Sequence, residues 1–385
     1  MRSALISISG QPAATLAGKT LARRQLEFAL AAGCESVIAL GDGSSAEAIG
    51  LRHVAEAAGA RFQAVRDSHG LLGAVRAEDE LLALAPGLLP EAAEAIELLG
   101  KGKVVLVLPA GAGVAAGFER IDLDRAWAGA LVVGGAHVER LSDLPADIEP
   151  ASALVRIALQ GHVKERRLPD DLIAEGSWTV LREGAVTPAN GEGWLKRHLA
   201  AATPWMPARW LAVQALRPLA ARLLTAGRSV EALAAGSAVV LGAAILAAWL
   251  GVAALGFALV PVGGVLAQAA AILAGLRLAP FGRARRKDFA ALLPWLVDAA
   301  LLACAVLAID GSWLHRLFPP LVLLAGLHML RPAEPVRWLA LPGDRIVLAG
   351  LLAVAAALGL AEPAIMLAAL ALIALNLAKS GASRG

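Results

Sequence analysis

The feature that most constrains the chain is an uncharged stretch in its second half. The 45 residues from 232 to 276 contain no Asp, Glu, Lys, Arg or His. A helix rises about 1.5 Å per residue, and about 20 residues cross the hydrocarbon core of a bilayer. The stretch is therefore long enough for two membrane-crossing helices. We expect the break between them near Gly251–Gly256, with Pro261 inside the second helix.

Further apolar segments follow this stretch, at residues 289–309, 317–330 and 346–378. The last is interrupted by Glu362-Pro363, which divides it into two short helices. The pattern predicts an all-α transmembrane domain of six helices over residues 230–380. Composition agrees, because 58% of the chain is hydrophobic and 17% charged, against about 45–50% and about 25% in soluble proteins.

The basic residues of this half fall in alternate loops. The loops after the second and fourth helices carry eight of them: Arg277, Arg283, Arg285, Arg286, Lys287, Arg331, Arg337 and Arg345. With six spans, these loops all lie on one side of the membrane, which the positive-inside rule makes the cytoplasm. The first residues are too weakly patterned for a signal peptide. We therefore expect a multi-pass protein of the bacterial inner membrane with both termini in the cytoplasm.

Residues 191–229 alternate tryptophan and arginine with Leu and Ala, as at Trp205, Arg209 and Trp210. Indoles at headgroup level and arginines facing anionic lipid are typical of helices that lie in the membrane interface. We interpret this segment as interfacial amphipathic helices that link two domains. The alternative is a solvated linker.

Residues 1–190 mix charge with short apolar runs and predict an α/β domain. Strand-like runs and helical periodicity alternate, with strands at 4–9, 35–40, 61–66, 81–84 and 104–108 and helices at 19–33 and 44–59. Such alternation indicates βαβ units and a mostly parallel sheet. Ligands of such sheets bind beyond the carboxyl ends of the strands.

Two stretches of this domain resemble the sugar-nucleotidyltransferase family. LAGKTLARRQLEFALAAGCESVIAL (16–40) is similar to that family's Gly-Lys-Pro segment, helix and strand, and HGLLGAVR (69–76) to its nucleotide-facing segment. The resemblance implies a nucleotide contact through Gly10, Lys19, Gly70 and Gly73. For Lys19, a position at a helix start without a phosphate contact is an equal alternative.

The chain departs from that family where the triphosphate and metal are held. The family opens with a glycine-rich loop followed by an Arg, whereas only Gly10 stands in this loop. The family's magnesium-binding Asp, which follows the strand near residue 84, is replaced by Ala85-Pro86-Gly87. We therefore expect Mg²⁺ only if the N-terminal domain is active. Asp122 and Asp124 have the spacing of a metal-binding pair, but that spacing also arises by chance.

The order of the domains resembles fusions of a nucleotidyltransferase with a CDP-alcohol phosphatidyltransferase. The segment from Glu192 to Leu199 is similar to the one that precedes the first span of the latter family. That family's signature implies four metal-binding aspartates. Aligned on Gly282, the four positions are occupied by Val265, Gln268, Arg286 and Ala290, and the Ala-Arg pair by Ile272 and Leu273. We therefore expect no metal or cofactor in the membrane domain.

Three charged residues of the membrane half receive individual hypotheses. Arg283 and Arg286 either contact lipid phosphate or serve only as topology determinants in a basic loop. Asp298 lies inside a predicted span, and an acid there calls for a functional hypothesis because burying it is costly. Its expected partner is His328 or Arg277, unless its carboxylate reaches water at the interface.

Together these features favour a non-catalytic or repurposed member of the fused class, related to the synthesis of polar-lipid or inositol-phosphate headgroups. One alternative is an active membrane-tethered nucleotidyltransferase, a transferase that makes an activated phospho-alcohol. A further alternative is a small-solute transporter. The expected partners are membrane lipid, a nucleotide, and a second copy or an active paralogue. With a net charge of only +3, no nucleic-acid partner is expected.

Overall fold

A computed structural model describes most of the chain and divides it into two compact units. The described residues are 1–9, 15–16, 18–181, 188–199, 204–278, 280–281, 292–329 and 344–382. The first unit comprises Met1–Trp194 with Pro280–Gly282, and the second comprises Leu195–Ala279 with Arg283–Gly385. The first is an α/β unit and the second is helical.

The first unit is built on a seven-stranded sheet in the order β3-β2-β1-β4-β7-β6-β8, with β5 and β9 forming a separate pair. The strands are β1 (Arg2–Ser7), β2 (Ser36–Leu40), β3 (Arg61–Val65), β4 (Glu80–Leu84), β5 (Leu88–Pro90), β6 (Val104–Pro109), β7 (Arg125–Gly134), β8 (Glu165–Arg167) and β9 (Trp178–Val180). The helices are α1 (Leu21–Ala31), α2 (Ala46–Ala57), α3 (Ala93–Leu99), α4 (Ala110–Ala115), α5 (Gly135–Glu139), α6 (Pro150–Gln160) and α7 (Asp171–Ala174). A further helix, α8 (Pro188–His198), begins in the first unit, and its residues from Leu195 onward belong to the second.

The sheet confirms the predicted mostly parallel α/β architecture. Each of the five predicted strands and both predicted helices is present, and Ser45 caps α2 by accepting the amide of Ala48 at 3.1 Å. Four further strands, β5, β7, β8 and β9, were not predicted. Of these, β7 runs antiparallel between β4 and β6 and is buried along nearly its whole length. The carboxyl ends of β1 to β4 therefore share one edge, because these four strands are parallel.

The core of the first unit is organised around two buried tryptophans. Trp127 on β7 donates its indole N–H to the Ala130 carbonyl at 3.2 Å, and Trp178 on β9 donates to the Ala128 carbonyl at 2.7 Å. Phe28 of α1 meets Trp178 edge to face, with ring centroids 5.6 Å apart. Buried indoles keep their polar atom satisfied in this way, so the apolar rings fill the core without an unpaired donor.

After the end of α8, the second unit contains eight helices within the described residues. They are α9 (Pro207–Leu216), α10 (Ala220–Thr225), α11 (Ser229–Trp249), α12 (Ala253–Leu278), α13 (Leu293–Leu307), α14 (Trp313–Met329), α15 (Arg345–Ala357) and α16 (Ala361–Ala382). The last six occupy the six predicted apolar segments. Among the helices that the structure describes, α11, α12 and α16 are both long and apolar enough to cross a membrane, so the predicted count of six spans is not confirmed.

The division of the last apolar segment differs from the prediction. The break falls at Leu358–Leu360, where Gly359 has a φ of +72°, a conformation that favours glycine. Glu362 and Pro363 lie in the first turn of α16. A proline is tolerated there because the amide that it lacks has no partner within the helix.

α11 and α12 form a tightly packed hairpin. Gly251, with a φ of +84°, makes the turn between them, as predicted. A Cβ on Gly256 would lie 2.9 Å from the Ala244 carbonyl oxygen, and one on Gly263 would lie 2.6 Å from the Leu241 side chain. Ser237 donates to the Gly263 carbonyl at 2.8 Å. Small residues and a side-chain hydrogen bond thus bring the two backbones together, as is usual between membrane helices.

Candidate functional site

The carboxyl edge of the sheet is the first candidate site, because ligands of such sheets bind there. The acids at this edge accept hydrogen bonds from residues of the turns in which they lie. Asp42, after β2, accepts the Ser44 amide at 2.9 Å and the Ser44 hydroxyl at 2.7 Å, and these hydrogen bonds lower the pKa of Asp42. Asp67, after β3, accepts the Gly70 amide at 2.9 Å. Gly10 lies outside the described residues.

The two other glycines of the predicted nucleotide site have different surroundings. A Cβ on Gly70 would lie 2.8 Å from the Val65 Cβ, so the glycine allows the turn to close on β3. Gly73 has no atom within 4 Å of such a Cβ. His69 contacts the Leu144 carbonyl at 2.9 Å. The geometry therefore gives Gly70 a packing role, and the nucleotide contact stays a prediction for both glycines.

Lys19 is held by an acid that the sequence did not single out. Its Nζ lies 2.6 Å from Oε2 of Glu27, and the Nε of Arg23 lies 2.9 Å from Oε1 of the same carboxylate. Burial lowers the pKa of Lys19, and the Glu27 carboxylate acts in the opposite direction. Lys19 thus has an internal counter-charge, and its phosphate contact stays a prediction.

The loop after β4 corresponds to the magnesium-binding position of the nucleotidyltransferases that the sequence resembles. In this chain, a side chain of α1 binds the loop. Gln25 is fully buried, and its Nε2 donates to the carbonyl of Ala85 at 3.0 Å and to that of Leu88 at 2.8 Å. The side-chain amide fixes the loop through its backbone. In place of an acid, this loop therefore presents a turn whose backbone carbonyls are bound by Gln25.

A buried ion pair involves Arg24, the residue before Gln25 on α1. The Arg24 guanidinium donates to Oε1 of Glu91 at 2.7 Å and to the Leu16 carbonyl at 2.7 Å. Trp194 donates its indole N–H to the same oxygen of Glu91 at 2.6 Å, and the guanidinium lies 4.5 Å from the centre of its ring. Both charged side chains are 1% exposed. Sequence reasoning missed this cluster, although Arg24 lies on the same helical face as Leu21 and Phe28.

The Asp122 and Asp124 spacing forms no metal site. Asp122 accepts the amides of Asp124 and Arg125 at 3.0 and 2.8 Å and pairs with the Arg125 side chain, which lowers its pKa. It therefore shapes the turn before β7. Across the described residues, no group of three or more His, Cys, Asp or Glu side chains is arranged to hold a metal ion.

The second unit contains a cavity of about 320 Å³ among α8, α9 and α12. Its lining is mostly apolar with three polar side chains and consists of His198, Arg209, Val213, Gln268, Ala271, Ile272, Gly275 and Leu276. An apolar pocket with a few convergent polar groups is the usual form of a small-ligand site. Sequence reasoning placed Arg209 at the membrane interface and did not connect it with Gln268.

Asp298 has the partner that the sequence suggested and one that it did not. Its Oδ2 lies 3.3 Å from Nε2 of His328 and 3.0 Å from a terminal nitrogen of Arg345, and Nε of Arg345 donates to Oδ1. Arg277 instead binds the carbonyls of Ala226 and Gly227. The acid is 2% exposed, so it is buried with its charge compensated and does not reach water. Arg283 and Arg286 lie outside the described residues.

Comparison with known proteins gives structural likeness alone. No family profile and no curated protein matches the chain. One similar solved structure is a UDP-glucose pyrophosphorylase complexed with UDP-glucose, with 12% identity and a TM-score of 0.34, covering 44% of this chain and 91% of that one. Another is a UDP-glucose pyrophosphorylase from Acinetobacter baumanii, with 13% identity and a TM-score of 0.37, covering 56% and 99%. The link to CDP-alcohol phosphatidyltransferases stays a prediction.

Proposed function

We propose that this protein is a membrane-associated, non-catalytic or repurposed relative of the nucleotidyltransferase and CDP-alcohol phosphatidyltransferase fusions. In this role it binds a ligand of polar-lipid headgroup synthesis without turning it over. The bacterial inner membrane is its proposed location. A membrane lipid, a nucleotide, and a second copy or an active paralogue are its proposed partners.

The observation that carries the proposal is the donor set of the cavity in the second unit. Two positions of the signature alignment, Gln268 and Ile272, line this cavity. An amide and an alkyl group stand there, and the lining as a whole contributes Arg209 and His198 but no carboxylate. Mg²⁺ is held in proteins by oxygen ligands that are largely carboxylates. These residues therefore do not fit a divalent cation. Their donors favour an anion instead.

The first unit supports the same proposal from the loop after β4. Ala85-Pro86-Gly87 supplies no acid there, and Gln25 engages the carbonyls on either side of the turn. The nearest buried acid along the chain, Glu91, is paired with Arg24. A nucleotide bound beside this loop would therefore meet no carboxylate from the loop itself for its metal.

The test uses the full chain in detergent and in proteoliposomes with Mg²⁺ or Mn²⁺. We expect no transfer from a CDP-alcohol and no release of pyrophosphate from nucleoside triphosphates, while calorimetry reports any binding of the same nucleotides. Release of pyrophosphate that is lost in Lys19→Ala and kept in Lys101→Ala would establish the alternative, an active nucleotidyltransferase. Lys101 is a suitable control because it is exposed on the same unit.

A further inference from the structure

The cavity of the second unit presents hydrogen-bond donors in an apolar setting. Arg209 comes from α9, Gln268 from α12 and His198 from the end of α8, and the other lining residues are aliphatic or glycine. A guanidinium has five N–H donors and no acceptor, and an amide contributes two more donors. The cavity is therefore complementary to an acceptor-rich, anionic group.

Gln268 contributes a side-chain amide to the lining of the cavity. It lies within α12, one of the helices apolar and long enough to cross a membrane. Among the residues that the structure describes, its side-chain amide makes no hydrogen bond, although it is half-buried. An amide removed from water without a partner costs about 1–3 kcal/mol in proteins. A ligand that covers this amide is therefore favoured when it offers a polar group in front of it.

Arg209 is placed at the cavity by contacts of its own helix. The amide of Ala208 donates to Oδ2 of Asp344 at 3.0 Å, which fixes the first turn of α9. Ala212, Val213 and Leu216 are buried on the same face of the helix as Arg209, and this face packs against α12. Arg209 forms no ion pair with any described carboxylate. Its side chain is exposed, so its donors are accessible to a ligand at the cavity.

We propose that this cavity binds the phosphoryl group of a small anion, with Arg209 as the principal contact and Gln268 and His198 as further polar contacts. Phosphate oxygens and guanidinium donors form short, charge-assisted hydrogen bonds, often two at once. A volume of about 320 Å³ lies at the low end of the about 300–1,000 Å³ typical of ligand pockets, which suits a headgroup. The inference rests on the proposed function in one respect: it assumes that the protein binds the anion without converting it.

A lipid headgroup and a free phosphate share this chemistry, and two arms of one experiment separate them. The full chain in detergent is unfolded thermally with inorganic phosphate, or with short-chain phosphatidic acid in mixed micelles, against sodium chloride at the same ionic strength. We expect both phosphoryl compounds to raise the midpoint. A lipid source predicts that phosphatidic acid acts at a concentration lower by on the order of tenfold, and a free anion predicts the reverse.

Three variants make the assignment specific. Arg209→Gln and Gln268→Leu should each weaken the phosphoryl-dependent shift by on the order of tenfold, since each removes hydrogen bonds to a charged group. Arg209→Lys should retain part of the shift, because it keeps the charge and loses the paired donors. Arg217→Gln is the matched control, an exposed arginine that follows α9 and lies outside the cavity. It should behave as the unaltered chain.

Two results would overturn the proposal. One is the absence of a shift with either compound in the unaltered chain. The other is an equal loss in Arg217→Gln and Arg209→Gln, which would mean non-specific attraction to positive charge. The proposed function fails separately: turnover of a CDP-alcohol together with an Arg209-dependent shift would refute the non-catalytic role and leave the anion site standing.

Discussion

The two units both bury an acid against a cation, but they close the pair to different degrees. In the first, Arg24 and Glu91 are each 1% exposed. In the second, the Asp298 side chain is 3% exposed, while Arg345 and His328 are 32% and 38% exposed. Removing one partner of a buried pair leaves an uncompensated charge, whereas an open pair can use solvent. We infer that the Arg24–Glu91 pair is needed for the stability of the first unit, whereas the Asp298 pair tolerates the loss of one partner.

The largest expected effect is in the closed pair. Arg24→Met should lower the free energy of unfolding by about 3–5 kcal/mol, because Glu91 is left charged in the core. Chemical denaturation of the full chain, followed by tryptophan fluorescence, measures it. The control is Arg23→Met, whose guanidinium is about one third exposed and should cost about 0–1 kcal/mol. Equal costs for the two variants would remove the distinction between a closed and an open pair.

A smaller effect is expected in the open pair. Arg345→Met should destabilise the second unit by about 2 kcal/mol, below the range for a closed pair, because His328 and solvent still compensate Asp298. Arg345→Lys should recover part of the loss, since a lysine keeps the charge without the two parallel hydrogen bonds. Thermal unfolding in detergent reports both. A loss as large as that of Arg24→Met would show that exposure of the cation does not matter.

The hairpin of the second unit offers a test that depends on packing alone. Gly256→Ala should destabilise by about 1–3 kcal/mol, because the new Cβ would lie 2.9 Å from a carbonyl oxygen. Gly242→Ala is the matched control: it lies in α11 with no atom within 4 Å of the added Cβ. It should be neutral or slightly stabilising. Equal thermal midpoints for the two variants would contradict the close approach of the helices.

The smallest effect concerns alkaline pH in the first unit. Burial raises the pKa of the Cys34 thiol from 9.0 to about 12. Between these values the unfolded chain has lost the thiol proton and the folded chain has kept it, so stability falls as pH rises through this window. Cys34→Ala should show a shallower decline in the denaturation midpoint above pH 9.0 than the unaltered chain. Parallel declines would show that the thiol is less buried in solution.

The backbone of both units was largely predictable, and the reason is local. Apolar runs bounded by Gly, Ser or charged residues specify β1 to β4 and β6, and the 45 uncharged residues specify α11 and α12. β7 was missed because Gly129, with a φ of +81°, interrupts its run of apolar residues. An irregular strand lacks the pattern by which strands are recognised.

The polar clusters were not predictable, because their members lie far apart in the chain. Arg24 pairs with Glu91, 67 residues away, and adjacent polar residues in a helix resemble a solvated face. Its spacing from Leu21 and Phe28 placed it on the apolar face, which was the available signal. For Asp298, His328 was foreseen, but Arg345 was interpreted only as a loop charge. The cavity needed three helices to be placed in space before its donors could be seen together.

The short turn between α11 and α12 has a consequence for how the protein is made. Three residues, Leu250 to Val252, separate the two helices, and the glycine contacts between them involve nothing later in the sequence. Both helices emerge from the ribosome before α13 to α16. They can form their glycine contacts and the Ser237–Gly263 hydrogen bond as soon as both are synthesised. In a bilayer, such a pair can leave the insertion machinery as one finished hairpin and serve as the template on which the remaining helices assemble.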